Sequence, residues 1–488
     1  MPYIIDAVQI RRPQKYEPPR EPAPERIPFR GGCGVSLGLI FLAVWAAIRL
    51  TSSEVKNKAF GNLFVWPLDF SIYYKAMHHI SHGHNLYGTN YIFNLPFTYP
   101  PFAAVVFSPM VLVGRKTLAV YWQVGSLLVL FAVVLGVLRQ RGYKWSLWLL
   151  LMSLAAVFAS FNLYPIHGNF FFGQVNIYLM GLIALDFLRR SGWGRGVGTA
   201  LAAGIKLTPA LSIVLFVLER RWWALVTAVV GFGATVVAGC VVIPDGSKYW
   251  TRYMFKTDRI GPQGNPAAQS LRGVLHRLHV HDEETVWIVS SIAIVIVLCI
   301  AAYGAIKRGN RAMAMCLSGI TAPIVAPFSW HHHWVFLVPL AVLLIDAIMR
   351  GVAVPINRIR NRVIRWLLDQ LAGLAAVALV SVIYIPFSNP FSVPMFRHLQ
   401  QNRASDPAII RGSFVYTGIA ILVVVAVWYS VIMSIDVIRG TRSPVSESDT
   451  TSADEPDSGS SESSIVVSEG QSDFTEHEAW TYHGHNNA

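Results

Sequence analysis

The chain has 488 residues, 53% of them hydrophobic and only 14% charged, and its mean hydropathy is +0.45. That balance excludes an ordinary water-soluble domain; apolar runs of about 17–25 residues recur, the length needed to cross about 30 Å of hydrocarbon. The formal charge is +13, but residues 441–488 carry ten acids and a single base, Arg442, so the remainder holds 39 basic against 17 acidic residues. Basic groups in short loops orient a membrane protein and do not by themselves point to nucleic acid as a partner.

Residues 1–32, rich in Pro and Arg, are expected to form a disordered cytoplasmic arm. The first apolar run, Cys33–Leu50, follows Arg11, Arg12, Lys15, Arg20, Arg26 and Arg30, and no A-x-A-like cleavage site succeeds it. It reads as a retained transmembrane helix that starts inside. The loop at 51–100 then faces outside. A short segment Pro101–Val113, a helix Leu118–Leu138 and segments 146–163 and 172–188 come next, with the basic stretches Arg139–Lys144 and Arg189–Arg195 turned inward.

Residues 196–218 have basic groups at both ends, and Gly204-Ile205-Lys206-Leu207-Thr208-Pro209 interrupts the middle. Two half-helices meeting at Lys206 satisfy the positive-inside pattern, where one straight crossing does not. Broken helices are tolerated at membrane depth only where they line a cavity. Beyond lie a span at 223–243, a polar external segment at 244–284, spans at 286–305, 312–328 and 334–349, and the basic loop Arg350–Arg365. A span at 366–386, an external loop at 387–412, a last span at 413–437 and an acidic, Ser-rich cytoplasmic tail at 438–488 complete the chain. The expected fold is an all-α polytopic membrane protein with ten to twelve membrane segments in one domain, 33–437.

Asp69 is the most informative residue. Few acids remain near the membrane, yet this one sits in Trp66-Pro67-Leu68-Asp69-Phe70-Ser71-Ile72-Tyr73-Tyr74. Desolvation there raises a carboxyl pKa unless a partner holds it ionised, and such a group is poised for general-base work. The plainer alternative is a helix N-cap. Lys206, mid-segment and far from either basic flank, is either a snorkelling side chain or the ligand of a phosphate.

The topology brings Asp69, the His331-His332-His333 run, Gly168–Asn176 and Asn265–Ser270 to one external face. One of the three histidines facing the cavity can orient Asp69 or bind a phosphate oxygen. Consecutive histidines do not share a helix face, which argues against a three-histidine metal site. Tyr99, in the rigid Tyr99-Pro100-Pro101-Phe102 entry to the membrane, is a candidate substrate contact. Gln174, Asn176, Asn265 and Gln269, with Ser270, offer groups for sugar hydroxyls, against a packing or capping role for each. His78 and His82 have the spacing of a metal pair, but no carboxylate or cysteine sits beside them, and a wet interfacial helix explains them as well. Cys33, Cys240, Cys299 and Cys316 lie in or beside apolar runs without C-x-x-C spacing, as packing residues do. The chain contains no Walker A loop, no G-x-G-x-x-G after a strand and no D-x-D signature.

Asp69-Phe70-x-x-Tyr73-Tyr74, Gly83-x-x-Leu86-Tyr87, Tyr99-Pro100-Pro101-Phe102, Gly173-Gln174-x-Asn176, Lys206-x-x-Pro209, Gln269-Ser270-x-x-Gly273 and Ser329-Trp330-x-His332-His333 together resemble glycosyltransferase family 87 over roughly residues 33–437. The resemblance implies the GT-C membrane fold and mannose transfer from polyprenyl-phosphate-mannose, without a cofactor or metal. It is nearest to the actinobacterial enzymes that add α-1,2-mannose to phosphatidylinositol mannosides or lipomannan. It further implies Asp69 as base with His332 as companion; the residues' own chemistry puts Lys206, His333 and Tyr99 on the donor, and Gln174, Asn176, Asn265, Gln269 and Ser270 on sugar or acceptor. The expected partners are the donor lipid, a mannosylated glycolipid acceptor and membrane lipids, at the plasma membrane with the site outside. Transfer of another lipid-linked sugar (arabinose, glucose) and transport by a protein with broken helices are the alternatives.

Overall fold

A computed structural model describes residues 32–51, 67–189, 194–388 and 412–441. The expectations for the N-terminal arm, for residues 52–66, for most of the 387–412 loop and for the acidic tail lie outside those residues. The chain divides into residues 1–437 and 438–488, and the fold of the first unit follows.

Seven helices are long and apolar enough to cross a membrane. They are α1 (Gly32–Thr51), α4 (Arg115–Gln140), α10 (Trp222–Val242), α12 (Glu283–Lys307), α14 (Leu337–Asn357), α15 (Arg362–Ile383) and α16 (Ser413–Asp436). An eighth crossing is made if α6 (Tyr164–Phe172) and α7 (Asn176–Phe187), bent by 114° at their junction, are taken together. Shorter apolar elements fill in between: α3 (Pro101–Phe107), α5 (Leu147–Ala159), α8 (Val197–Ile205), α9 (Ile213–Leu218) and α13 (Arg311–Val325). The protein is an all-α, multi-pass membrane protein. Among the described residues the one sheet is a two-stranded hairpin, β1 (Asn90–Ile92) with β2 (Leu95–Pro96). Outside the spans lie α2 (Leu68–Ser81) and α11 (Leu271–Arg277).

Small residues let the spans approach closely. A side chain at Gly34 would collide with the Gln370 carbonyl of α15, and one at Gly38 would come within 2.9 Å of Val377. This is how membrane helices associate when lipid removes the hydrophobic drive between them. Buried acids are partnered. Asp346 on α14 accepts from Arg141 Nε at 2.8 Å, Tyr143 Oη at 2.6 Å and Arg350 Nε at 2.9 Å.

Two stretches differ from expectation and a third agrees with it. The expected span 172–188 begins instead at Asn176, because Gly173 adopts the left-handed conformation (φ +65°) that ends α6, and the chain turns away. The basic loop Arg350–Arg365 is mostly helix, α14 running on to Asn357 and α15 starting at Arg362. Capture of Arg350 by Asp346 one turn earlier satisfies that charge within the helix. Residues 196–218 do break at Lys206: α8 ends at Ile205, Lys206 is extended (φ −153°, ψ 133°), and a 3-10 turn with Pro209 near its start leads into α9.

Candidate active site

Several of the candidate side chains gather around a cavity of about 220 Å³. Its walls come from α2, the Leu95–Pro100 segment, the Gln174 turn, the Lys206 break, residues 249–260 and the Ala326–His333 connection. Among the described residues Asp69 is the one acid in that lining; Lys206, Arg259 and His333 are the basic ones.

Asp69 is not a cap. Pro67 occupies the N-cap of α2, no side chain caps it, and Asp69 lies inside the first turn. There the free N–H groups of the helix start favour its negative charge. Its half-buried carboxylate accepts a hydrogen bond from Gln174 Nε2. Burial pushes the Asp69 carboxyl up to about 6, against the opposing effects of the Gln174 donor and the Lys206 charge. A carboxylate in that range suits proton abstraction near neutral pH.

Gln174 reaches Asp69 because of Gly173. The left-handed turn that ends α6 places Gly173 against Pro67 and Phe70 of α2, where a Cβ would stand 2.6 and 2.7 Å from their Cβ atoms. The Gln174 carbonyl oxygen is in turn held by Tyr99 Oη at 2.9 Å, and Tyr99 Oη lies 2.8 Å from Tyr73 Oη. Lys206 Nζ donates to Asn176 Oδ1 at 2.8 Å and sits 2.9 Å from His333 Nε2. Burial first, and then the Lys206 charge, hold His333 well below the usual histidine range. With Lys206 Nζ donating to it, the ring accepts at Nε2 and carries its proton on Nδ1, which has no partner among the described residues. Lys206 also lies 5.4 Å from the Tyr99 ring centre. Asn176 Nδ2 donates to Gln174 Oε1 at 3.4 Å, so one polar chain runs from the carboxylate through two amides to the ammonium.

Not every candidate joins it. Gln174, Lys206, Tyr99 and His333 line the cavity with Asp69, and Asn176 stands just behind. His332 does not line it: its backbone carbonyl accepts from Asn169 at 2.9 Å and Asn176 at 3.0 Å, and its ring is buried between Phe172 and His333. His333, not His332, is the histidine that faces Asp69's cavity. The Asn265–Ser270 loop also stays outside. Asn265 Oδ1 accepts from the Ala267 N–H, Gln269 Nε2 donates to the Pro266 carbonyl, and Ser270 Oγ caps α11 through the Gly273 N–H. Its contribution is indirect, since the Ala268–Trp330 bridge and the 2.6 Å bond from the Gln269 N–H to the Ser329 carbonyl hold Trp330 in the cavity wall. His78 and His82 are linked to each other's turn, His82 Nδ1 lying 2.7 Å from the His78 carbonyl.

Arg259 is the residue that sequence reasoning missed. Its guanidinium lies 4.3 Å from the Tyr253 ring centre, and Nη2 donates to the Phe97 carbonyl at 2.8 Å. The signal was available: a basic residue in a segment expected outside, preceded by Tyr249 and Tyr253, runs against the inward bias of positive charge.

Residues 97–327 match the model of glycosyltransferase family 87. A polyprenol-phosphate-mannose-dependent alpha-(1-2)-phosphatidylinositol mannoside mannosyltransferase of Mycobacterium tuberculosis is 32% identical over 355 residues, 67% of this chain and 82% of that protein. The chain belongs to glycosyltransferase family 87. Two polyprenol-phosphate-mannose-dependent alpha-(1-2)-phosphatidylinositol pentamannoside mannosyltransferases are also similar. The one from M. tuberculosis is 34% identical over 57% of this chain and 66% of its own length. The one from Mycolicibacterium smegmatis is 33% identical over 61% and 70%. No solved structure matches. The family 87 match contains Tyr99, Gln174, Asn176, Lys206 and Arg259, whereas Asp69 and His333 fall outside it and meet the others only through the fold.

Proposed function

We propose that this glycosyltransferase moves mannose from polyprenyl-phosphate-mannose to a phosphatidylinositol mannoside or lipomannan acceptor on the external face of the membrane, with both termini cytoplasmic. Asp69 is the general base. It removes the proton from an acceptor mannose hydroxyl as that oxygen attacks the anomeric carbon of a β-linked mannosyl phosphate. The new C1–O bond forms on the face opposite the leaving group, giving an α linkage by inversion. The C1–O bond to phosphate breaks, and polyprenyl phosphate leaves with the electron pair. Lys206, Arg259 and His333 Nδ1–H hold the phosphate and stabilise its developing charge. The leaving phosphate needs no proton, so one carboxylate suffices, unlike the two of glycoside hydrolysis.

The observation that carries this reading is the charge layout of the cavity: one carboxylate with a raised pKa facing two cations in the same lining. Three relatives whose names specify the same donor class support the choice of substrate. The test is transfer of radiolabelled mannose from polyprenyl-phosphate-mannose to a mannosylated phosphatidylinositol by purified wild-type protein and Asp69→Asn. Product from wild type alone is expected. Product from both would keep the activity and remove Asp69 as base; product from neither, with folded protein, would overturn the donor.

A further inference from the structure

The rim of this cavity carries two aromatic rings turned away from the protein. Phe93 and Phe255 are each 85% exposed, more than any other large hydrophobic residue among those described. Phe93 occupies the tip of the β1–β2 hairpin, where Ile92 pairs with Leu95 and only Phe93 and Asn94 form the connection. Both tip residues are left-handed, with φ of +46° and +61°. Asn tolerates that conformation and Gly prefers it, but a bulky aromatic residue there is strained. The ring gains no burial in return.

Phe255 follows the Tyr249–Tyr253 turn. Arg252 and Lys256 beside it are exposed and Lys248 is half-buried; Asp258 is the one acid in residues 248–258. The two segments form one rim. Leu95–Pro100 and residues 249–260 line the same cavity, and Arg259 ties them through the Phe97 carbonyl. The buried Asp245 carboxylate accepts from the Leu86 N–H at 3.0 Å and the Tyr87 N–H at 2.9 Å, fastening the base of the hairpin to the end of α10. The hairpin leads into α3, and residues 249–260 leave from α10; α3 and α10 pack together. The apolar phase adjacent to helix ends in a multi-pass protein is lipid, and aromatic rings flanked by Lys and Arg suit the boundary between hydrocarbon and headgroups.

We propose that Phe93 and Phe255 insert into the bilayer surface at the mouth of the cavity, with Lys248, Arg252 and Lys256 on the phosphate groups of phospholipid heads. The strained hairpin tip then presents its ring to lipid, and a lipid-linked ligand enters the cavity from the leaflet without crossing water. The inference rests on the membrane fold and not on the reaction proposed above.

The test is site-directed spin labelling of the full chain in phosphatidylcholine–phosphatidylglycerol liposomes. Phe93→Cys and Phe255→Cys are each labelled in a Cys33→Ser, Cys240→Ser, Cys299→Ser background, which removes the exposed and partly exposed native thiols. Collisions with oxygen are expected to exceed those with a water-soluble nickel chelate at both sites. Nickel-dominated collisions at either site would overturn the proposal. Should a cysteine variant fail to fold, Phe93→Trp and Phe255→Trp keep an aromatic ring. Dibrominated phospholipid is expected to quench each more than it quenches wild type, and equal quenching would overturn the proposal.

Discussion

Replacing Asp69 by Asn should abolish transfer and, at neutral pH, make the protein more stable. Asn keeps the shape and can still accept from Gln174, but it carries no charge. The folded-state carboxyl is pushed from 3.8 to about 6; that gap corresponds to about 3 kcal/mol of disfavoured ionisation. Because the side chain is only half-buried, water screens part of it, and about 1–2 kcal/mol is the working expectation. The direction follows from linkage. A carboxyl whose folded pKa is raised binds its proton more tightly in the native state, so the wild type loses stability as pH rises from about 4 through 6. The Asn variant does not. Its advantage should be absent near pH 4, grow through pH 6 and level off above pH 7. Thermal unfolding of both proteins in the same detergent across this range measures the gap. A variant that is no more stable than wild type above pH 7, or a gap that shrinks as pH rises, would refute the claim that this carboxylate is ionised at an energetic cost. Loss of transfer with that gain in stability is the expected trade between function and stability.

Gly173→Ala should impair activity as Asp69→Asn does, but with a stability loss of about 1–3 kcal/mol, because the new methyl group meets Pro67 and Phe70 at a left-handed backbone; rate and unfolding midpoint together check this. Arg259→Gln should raise KM for the lipid-linked donor about tenfold, equivalent to about 1.4 kcal/mol, and leave KM for the acceptor unchanged, as initial-rate kinetics in both substrates would show. Asp245→Ala strands two buried backbone N–H groups, Leu86 and Tyr87, and should destabilise by about 1–3 kcal/mol for each group left unpaired, read as a lowered unfolding midpoint.

Asp69 could be singled out from sequence because an acid between Trp-Pro and an aromatic run is chemically out of place. The break at Lys206 was readable for a similar reason: charge at both ends and Gly and Pro in the middle cannot be reconciled with one straight span. The bend at Gly173 was not, since a glycine followed by an amide reads equally well as the interior of an apolar helix. The choice between His332 and His333 was also closed to sequence. In a three-residue turn each ring points a different way, and what faces the cavity depends on how Asn169 and Asn176 grip the His332 carbonyl. Asn265, Gln269 and Ser270 looked like sugar ligands because their side chains are polar; the loop directs those groups to its own backbone.

Sequence by itself determined that this chain crosses a membrane many times, which family pattern it carries, and that Asp69 and Lys206 need an explanation. These follow from local properties, apolar length and misplaced charge, that no distant contact can alter. Only the tertiary structure decided which polar groups meet. Asp69, Gln174, Lys206, Arg259 and His333 come from five separate segments, and their common cavity exists because left-handed and extended breaks turn those segments toward one point. Such convergence depends on packing between residues far apart in the chain, and neither periodicity nor spacing encodes it.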